Sequence, residues 1–274
     1  MMRMILTRHL RDSEIRWAIN GATLPPDTSL GSLLQKPHHE MMSYLGQLWP
    51  AQYPGGKIVA PIDNDQEVWA SGVTYLRSRV ERESESTVAD VYAKVYEADR
   101  PELFFKALGW RCVGDGQNIR IRMDSDWNVP EPELTLVVNA HSEIVGYTAG
   151  NDVSSRAIEG ENPLYLPQAK SYDGSCAIGP GIVLTSQQEM EQIEIELEIE
   201  RGGETIFTGE TDISQMKRRL DDLVYYLCRE MYFPHGVLLM TGTGIVPSHP
   251  FTLEVGDVVR IKIGELTLTN TVAS

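Results

Sequence analysis

The sequence is short of positive charge: 24 Lys and Arg stand against 39 Asp and Glu in 274 residues, a formal charge of -15. That deficit excludes the concentrated basic surface that nucleic acid requires, so no nucleic acid partner is expected. An anionic small molecule would need a local positive centre, either a metal ion or a buried lysine. Long apolar runs are also missing, and the opening segment has no hydrophobic region of a secretion signal. Neither a membrane span nor export is expected, and the chain reads as soluble and cytoplasmic. Cysteine is scarce. Cys112, Cys176 and Cys228 are odd in number and widely spaced, which suits reduced core thiols better than a disulfide framework or a zinc site. Internal repeats and low-complexity tracts are absent.

Residues 1–65 are broken by Pro25-Pro26 and Pro54-Gly55-Gly56 and read as a small N-terminal α/β domain, with 66–274 as the main domain. Leu33, Leu34, Met41, Tyr44, Leu45 and Leu48 recur at near-helical spacing and predict one or two short helices within 30–48. Val68 to Val73 reads as a strand. The charged segment 77–93 reads as helical, serving either as a solvated face or as a cover over a site. Leu134-Thr135-Leu136-Val137-Val138 is rich in strand formers, and Ile144 to Tyr147 is its partner across a His141-Ser142-Glu143 turn.

Ile193 to Glu200 alternates strictly, which describes an antiparallel strand with one wet face rather than a glutamate ladder for metals. A Gly202-Gly203 turn leads to a second strand through Ile206 and Phe207. Met216, Leu220, Leu223, Leu227 and Met231, at spacings of three and four, predict an amphipathic helix over 214–231, closed by Pro234-His235-Gly236. Short strands follow. Strands outnumber helices with few βαβ units, so the expected class is strand-rich α+β.

The chemistry concentrates in Glu131-Pro132-Glu133, Asn151-Asp152 and Lys170-Ser171-Tyr172-Asp173-Gly174. Side chains two apart on a strand share a face, so Glu131 and Glu133 can bind one hard cation together. Pro130 and Pro132 keep this stretch extended. On composition alone, the pair reads rather as two exposed carboxylates on an edge strand. Crowded with Asp152, the three acids would repel until one took up a proton, and a divalent ion removes that conflict. All-oxygen ligation favours Mg²⁺, Mn²⁺ or Ca²⁺ over zinc. The histidines at 38, 39, 141, 235 and 249 are not placed like ligands.

Several ordered motifs now resemble the fumarylacetoacetate hydrolase superfamily. They are Val129-Pro130-Glu131-Pro132-Glu133-Leu134, Gly150-Asn151-Asp152-Val153-Ser154-Ser155-Arg156, Gln168-Ala169-Lys170-Ser171-Tyr172-Asp173-Gly174, Gly179-Pro180 and Met240-Thr241-Gly242-Thr243-Gly244. Gly72-Val73-Thr74-Tyr75, Arg100-Pro101-Glu102-Leu103-Phe104-Phe105-Lys106 and Glu159-Gly160-Glu161-Asn162-Pro163 look most like its 2-keto-3-deoxy-arabinonate dehydratase branch. The resemblance implies a mixed β-roll core, usually in a homodimer. By motif it implies Glu131, Glu133 and Asp152 as metal ligands, Lys170 beside metal and substrate, and Gly242 with Thr243 at the substrate carboxylate. Hydrolase members carry Gly-x-Asn-Tyr-x-x-His-x-x-Glu, whose His and Glu prepare a water. Here Ser78 stands at the His position while Glu81 remains, and serine cannot act as an imidazole base.

The expected function is therefore a Mg²⁺-dependent dehydratase of a small anionic 2-keto-3-deoxy sugar acid. Its steps would be chelation of the keto acid, proton loss at C3 to an enolate, and departure of the C4 hydroxyl. Glu81, Glu102 and neutral Lys170 are the candidate bases, and Tyr75 and Ser78 are candidates to hold sugar hydroxyls. The alternatives are a C–C hydrolase or decarboxylase of a diketo acid on the same metal site, and a non-catalytic member of the fold. In relatives the region matching 77–93 is often a lid, which gives its charge a second reading.

Overall fold

A computed structural model describes residues 4–48, 53–76 and 89–274. In chain order, β1 (Met4–Arg11), β2 (Glu14–Ile19) and β3 (Ala22–Thr23) lead to two helices, α1 (Leu30–Leu34) and α2 (His38–Gly46), and then to β4 (Lys57–Val59). Next come β5 (Glu67–Gly72), α3 (Ala89–Glu97), β6 (Glu102–Leu108), β7 (Asn118–Arg120), β8 (Asn128–Val129), β9 (Pro132–Val138) and β10 (Ile144–Asp152). β11 (Ser154–Ser155), α4 (Arg156–Glu161), α5 (Leu166–Lys170), β12 (Cys176–Leu184) and α6 (Gln187–Met190) follow. The chain continues through β13 (Glu194–Arg201), β14 (Glu204–Asp212), α7 (Leu220–Cys228), β15 (Val237–Met240), β16 (Val258–Ile263) and β17 (Leu266–Ala273). The class is strand-rich α+β.

A 10-stranded sheet runs β3-β2-β1-β12-β10-β9-β15-β5-β6, with β4 on β1, and a 5-stranded sheet runs β14-β13-β16-β17-β7. The β15–β5 pairing is parallel, while β9 and β10 are antiparallel to each other. Both faces of β9 and of nearly all of β10 are buried, so these central strands read as near-continuous apolar runs. Leu134, Leu136 and Val138 of β9 join Ile195, Leu197, Ile261 and the apolar side of α7 in one core. Val137 points the other way, into a second core with Leu6, Trp17, Leu33, Leu34 and Met41. The N-terminal strands are part of this sheet: Met4 to Thr7 pair with Gly181 to Leu184 of β12.

Ile195, Leu197 and Ile199 are buried, as the alternation in β13 requires, and the intervening glutamates meet cations on β16. Lys262 lies 2.5 Å from Glu196, and Arg260 lies 2.7 Å from Glu198 and 2.8 Å from Glu200. The helix expected over 214–231 is shorter than its spacing suggests. Residues Ile213–Gln215 form a single 3₁₀ turn, Met216 bridges Tyr75, and helix begins only at Leu220. Long-range contacts hold the intervening chain extended. The Lys217 N–H donates to the Thr74 carbonyl at 3.0 Å, and Arg218 donates to the carbonyls of Val95 and Asp99 at 2.9 Å each. Tertiary hydrogen bonds override the local period there.

Of the charged segment 77–93, residues 77–88 lie outside the described part, and α3 begins at Ala89. Cys176 is buried, while Cys112 and Cys228 are half-buried, so the expectation of core thiols holds fully only for the first. No helix among the described residues is long and apolar enough to cross a membrane.

Candidate metal centre

The β9–β10 ladder builds the site. Glu133 is paired with Gly150, Pro132 with Asn151, and the Asp152 N–H donates to the Glu131 carbonyl at 2.9 Å. Period two places Glu131 and Glu133 on one face, and the antiparallel register brings Asp152 beside them. All three are buried, and one carboxylate oxygen from each lies within 4.8 Å of the others. The Asn151 side chain accepts from the Glu131 N–H at 3.1 Å and holds the entry to β9.

Among the described residues, three cations surround this triad. Lys170, at the end of α5, donates to Glu131 Oε2 at 2.7 Å, Asp152 Oδ2 at 2.9 Å and Ser154 Oγ at 2.6 Å. Lys106, on β6 and fully buried, puts its Nζ 2.5 Å from Asp152 Oδ1. Arg156 opens α4 behind the Ser155 cap and lies 2.9 Å from Glu131 Oε1. Glu133 has no such partner among the described residues. Its Oε2 accepts only the Gly242 N–H, at 2.6 Å. Burial first, and then the charges of Asp152 and Glu131, push its carboxyl well above the ordinary range, against the pull of Lys170.

Two acids tied to cations and a third driven to hold a proton are what three buried carboxylates do without a divalent ion among them. A dication resolves the conflict, and an all-oxygen donor set of this kind fits Mg²⁺, Mn²⁺ or Ca²⁺. A cavity of about 10 Å³ opens beside the triad, lined by Glu102, Phe104, Glu131, Glu133, Lys170 and Thr243 among others.

The structure thus gathers Glu131, Glu133, Asp152, Lys170, Glu102 and Thr243 around one point. Glu102 pairs with Gly72, where a Cβ would meet its Oε2 at 2.0 Å, so the missing side chain makes room for the carboxylate. Gly242 reaches the site through its backbone, and Thr243 Oγ1 donates to the Ile245 carbonyl at 3.0 Å. Tyr75 is brought near but not in. Its ring packs under the Gly242–Gly244 loop, its hydroxyl has no hydrogen-bond partner among the described residues, and burial followed by the Glu133 and Asp212 charges raises its pKa. Ser78 and Glu81 lie outside the described residues. Val73, on the cavity wall, has φ 54, an uncommon conformation for a β-branched residue and a feature of functional loops.

Sequence reasoning gave no role to Lys106, Arg156 or Phe104, whose ring centroid lies 5.6 Å from Lys170 Nζ. A signal was present for the first. Lys106 interrupts the apolar run Leu103-Phe104-Phe105 and Ala107-Leu108, and a lysine inside a buried strand needs an acid partner.

The fold and the site together define a class. Residues 67–273 match the family model of the fumarylacetoacetate (FAA) hydrolase C-terminal domain, and the chain belongs to that family. Within it, the chain is 51% identical over 216 residues to a probable 2-keto-3-deoxyxylonate dehydratase of Haloferax volcanii, covering 78% of this chain and 74% of that protein. It is 45% identical over 216 residues to a 2-dehydro-3-deoxy-D-arabinonate dehydratase of Saccharolobus solfataricus, covering 77% and 72%. A solved structure of 2-keto-3-deoxy-D-arabinonate dehydratase complexed with magnesium and 2,5-dioxopentanoate superposes with a TM-score of 0.84 at 34% identity, over 98% of each chain.

Proposed function

We propose that the protein is a Mg²⁺-dependent dehydratase that converts a 2-keto-3-deoxypentonate to 2,5-dioxopentanoate. The observation that carries this reading is the buried Glu131, Glu133 and Asp152 triad, with Lys170 against it, in a chain 51% identical over 216 residues to a probable 2-keto-3-deoxyxylonate dehydratase. The two relatives' names converge chemically. Forming the 2-keto-3-deoxy acid erases the C2 and C3 stereocentres, so xylonate and arabinonate of like C4 configuration give one compound.

The net change is loss of one water. Removing a C3 proton and the C4 hydroxyl leaves an enone that still bears the C5 carbinol. Shifting the C–H and O–H hydrogens of that carbinol to C3 and C4 gives the dioxo acid, so the skeleton stays intact. We assign Glu131, Glu133 and Asp152 to hold Mg²⁺, which when bound supplies Lewis-acid polarisation of the 2-keto group.

The chain's own groups do the rest. Lys170, an ammonium donor already at the triad, is placed to neutralise charge developing on the keto oxygen. Glu102 faces the same cavity and takes the C3 proton, then returns it to the departing C4 hydroxyl. Glu81 is the alternative base. Gly242 and Thr243 stand where a substrate carboxylate would approach Glu133, and Tyr75 acts from behind them as support rather than as a ligand. Ser78, at the position where hydrolases carry histidine, removes the base that would prepare a water for C–C cleavage. We place the enzyme in the cytoplasm as a homodimer, and light scattering of the purified protein checks the oligomeric state.

Incubation with Mg²⁺ and synthetic 2-keto-3-deoxypentonate, followed by mass analysis, tests the reaction. A five-carbon product lighter by one water supports dehydration. Pyruvate with glycolaldehyde would show cleavage of the C3–C4 bond and overturn it.

A further inference from the structure

Each carboxylate of the triad has one oxygen already engaged by a protein group outside the triad. Glu131 Oε1 faces Arg156 at 2.9 Å, Asp152 Oδ1 faces Lys106 at 2.5 Å, and Glu133 Oε2 accepts the Gly242 N–H at 2.6 Å. The opposite oxygens of Glu131 and Asp152 share Lys170, a residue of the cavity wall. Lys106 is the most firmly set of the outer partners. It is fully buried, and its ammonium also donates to the carbonyl of Val153 at 3.1 Å and to that of Lys170. The contact to Asp152 is an ion pair by distance, beside these two hydrogen bonds. They join the strand end carrying Asp152 to the helix end carrying Lys170.

We propose that Lys106 is a positioning residue that denies Asp152 Oδ1 to the metal, limiting this carboxylate to one ligand oxygen and tuning the centre to Mg²⁺ against Ca²⁺. This rests on the assignment of the triad as the metal site. A dication brought to Oδ1 would sit against a fixed ammonium in a low-dielectric interior, where like charges repel strongly. One oxygen per acid leaves three protein ligands, and the remaining positions fall to water and substrate. That suits the small, octahedral Mg²⁺, which keeps its waters. Ca²⁺ takes 6–8 oxygens at longer range and uses bidentate carboxylates to reach that number. Arg156 acts in the same sense on Glu131. Lys106 is the cleaner case, because it is fully buried, does not line the cavity and is held by two backbone carbonyls.

Crystals of the wild-type protein grown with Mg²⁺, and separately with Ca²⁺, test this without any substitution. The expected result is a metal on the triad with Asp152 bound through Oδ2 alone and Lys106 still on Oδ1. A bidentate Asp152, or a displaced Lys106, overturns the inference while leaving the metal site standing. No metal on the triad would instead overturn the site assignment and the inference with it. Calorimetric titration adds a readout independent of turnover. In Lys106→Met the ratio of Ca²⁺ to Mg²⁺ affinity should rise about 10-fold, the scale of outer-sphere effects on metal binding, and Lys106→Arg should restore the wild-type ratio. A folded Lys106→Met protein with an unchanged ratio contradicts the proposal. Should that variant fail to fold, the wild-type crystals decide alone.

Discussion

The backbone N–H of Gly242 donates to Glu133 Oε2 at 2.6 Å, so the loop after β15 is fastened to the one acid of the triad that no cation holds among the described residues. The loop can take this path because Gly242 has φ +90, and a Cβ there would meet Thr74 Oγ1 at 2.0 Å. Thr74 is itself fixed, donating to the Thr241 carbonyl at 2.7 Å.

Gly242→Ala should therefore lose about 1–3 kcal/mol of stability from backbone strain alone, with Mg²⁺ binding weakened as Glu133 loses its donor. Urea unfolding with and without Mg²⁺ measures both. A variant with the wild-type midpoint and wild-type Mg²⁺ affinity would show that the loop is not constrained as described.

Glu133 sets the pH behaviour of the metal-free protein. Burial, with the charges of Asp152 and Glu131, raises its pKa in the folded state. A raised value means the proton binds the folded form more tightly. The stability it contributes is complete below the unfolded carboxyl's ordinary value and is lost as pH climbs through the raised native one. Glu133→Gln carries a neutral side chain at every pH. Its melting temperature without metal should fall less with rising pH than that of the wild type, and added Mg²⁺ should stabilise only the wild type. Parallel curves for the two proteins would contradict the assignment.

On the proposed mechanism Glu102, which lines the cavity, is the base among the described residues. Glu102→Gln should lower kcat about 10²- to 10⁴-fold while leaving Mg²⁺ affinity and melting temperature near wild type. Steady-state kinetics beside a Mg²⁺ titration separates the two effects. Near-normal turnover would transfer the role to Glu81.

The acidic triad was legible in the sequence because its relation is local. Period two alone puts Glu131 and Glu133 on one face, and the order of motifs supplied Asp152 and Lys170. The wet face of β13 was legible for the same reason, each glutamate alternating with a core residue. Lys106 was not, since its purpose appears only when β6 pairs with β5 and meets the end of α5. The overlong helix at 214–231 failed likewise. Met216 has helical spacing to Leu220 and Leu223, but a bridge to Tyr75, distant in sequence, takes it out of the helix. Tyr75 lies in the segment that the motif points to, and its hydroxyl has no hydrogen-bond partner among the described residues.

The proposed reaction turns on removal of a proton from C3, and substrate carrying two deuterium atoms at C3 tests that step directly. If Glu102 takes one and delivers it to the departing hydroxyl, the 2,5-dioxopentanoate formed with Mg²⁺ should retain one deuterium at C3, and turnover should slow by a primary isotope effect. A product that keeps both deuterium atoms, formed at the unlabelled rate, would mean that water is lost across C4 and C5 without enolisation, and would contradict proton abstraction by Glu102.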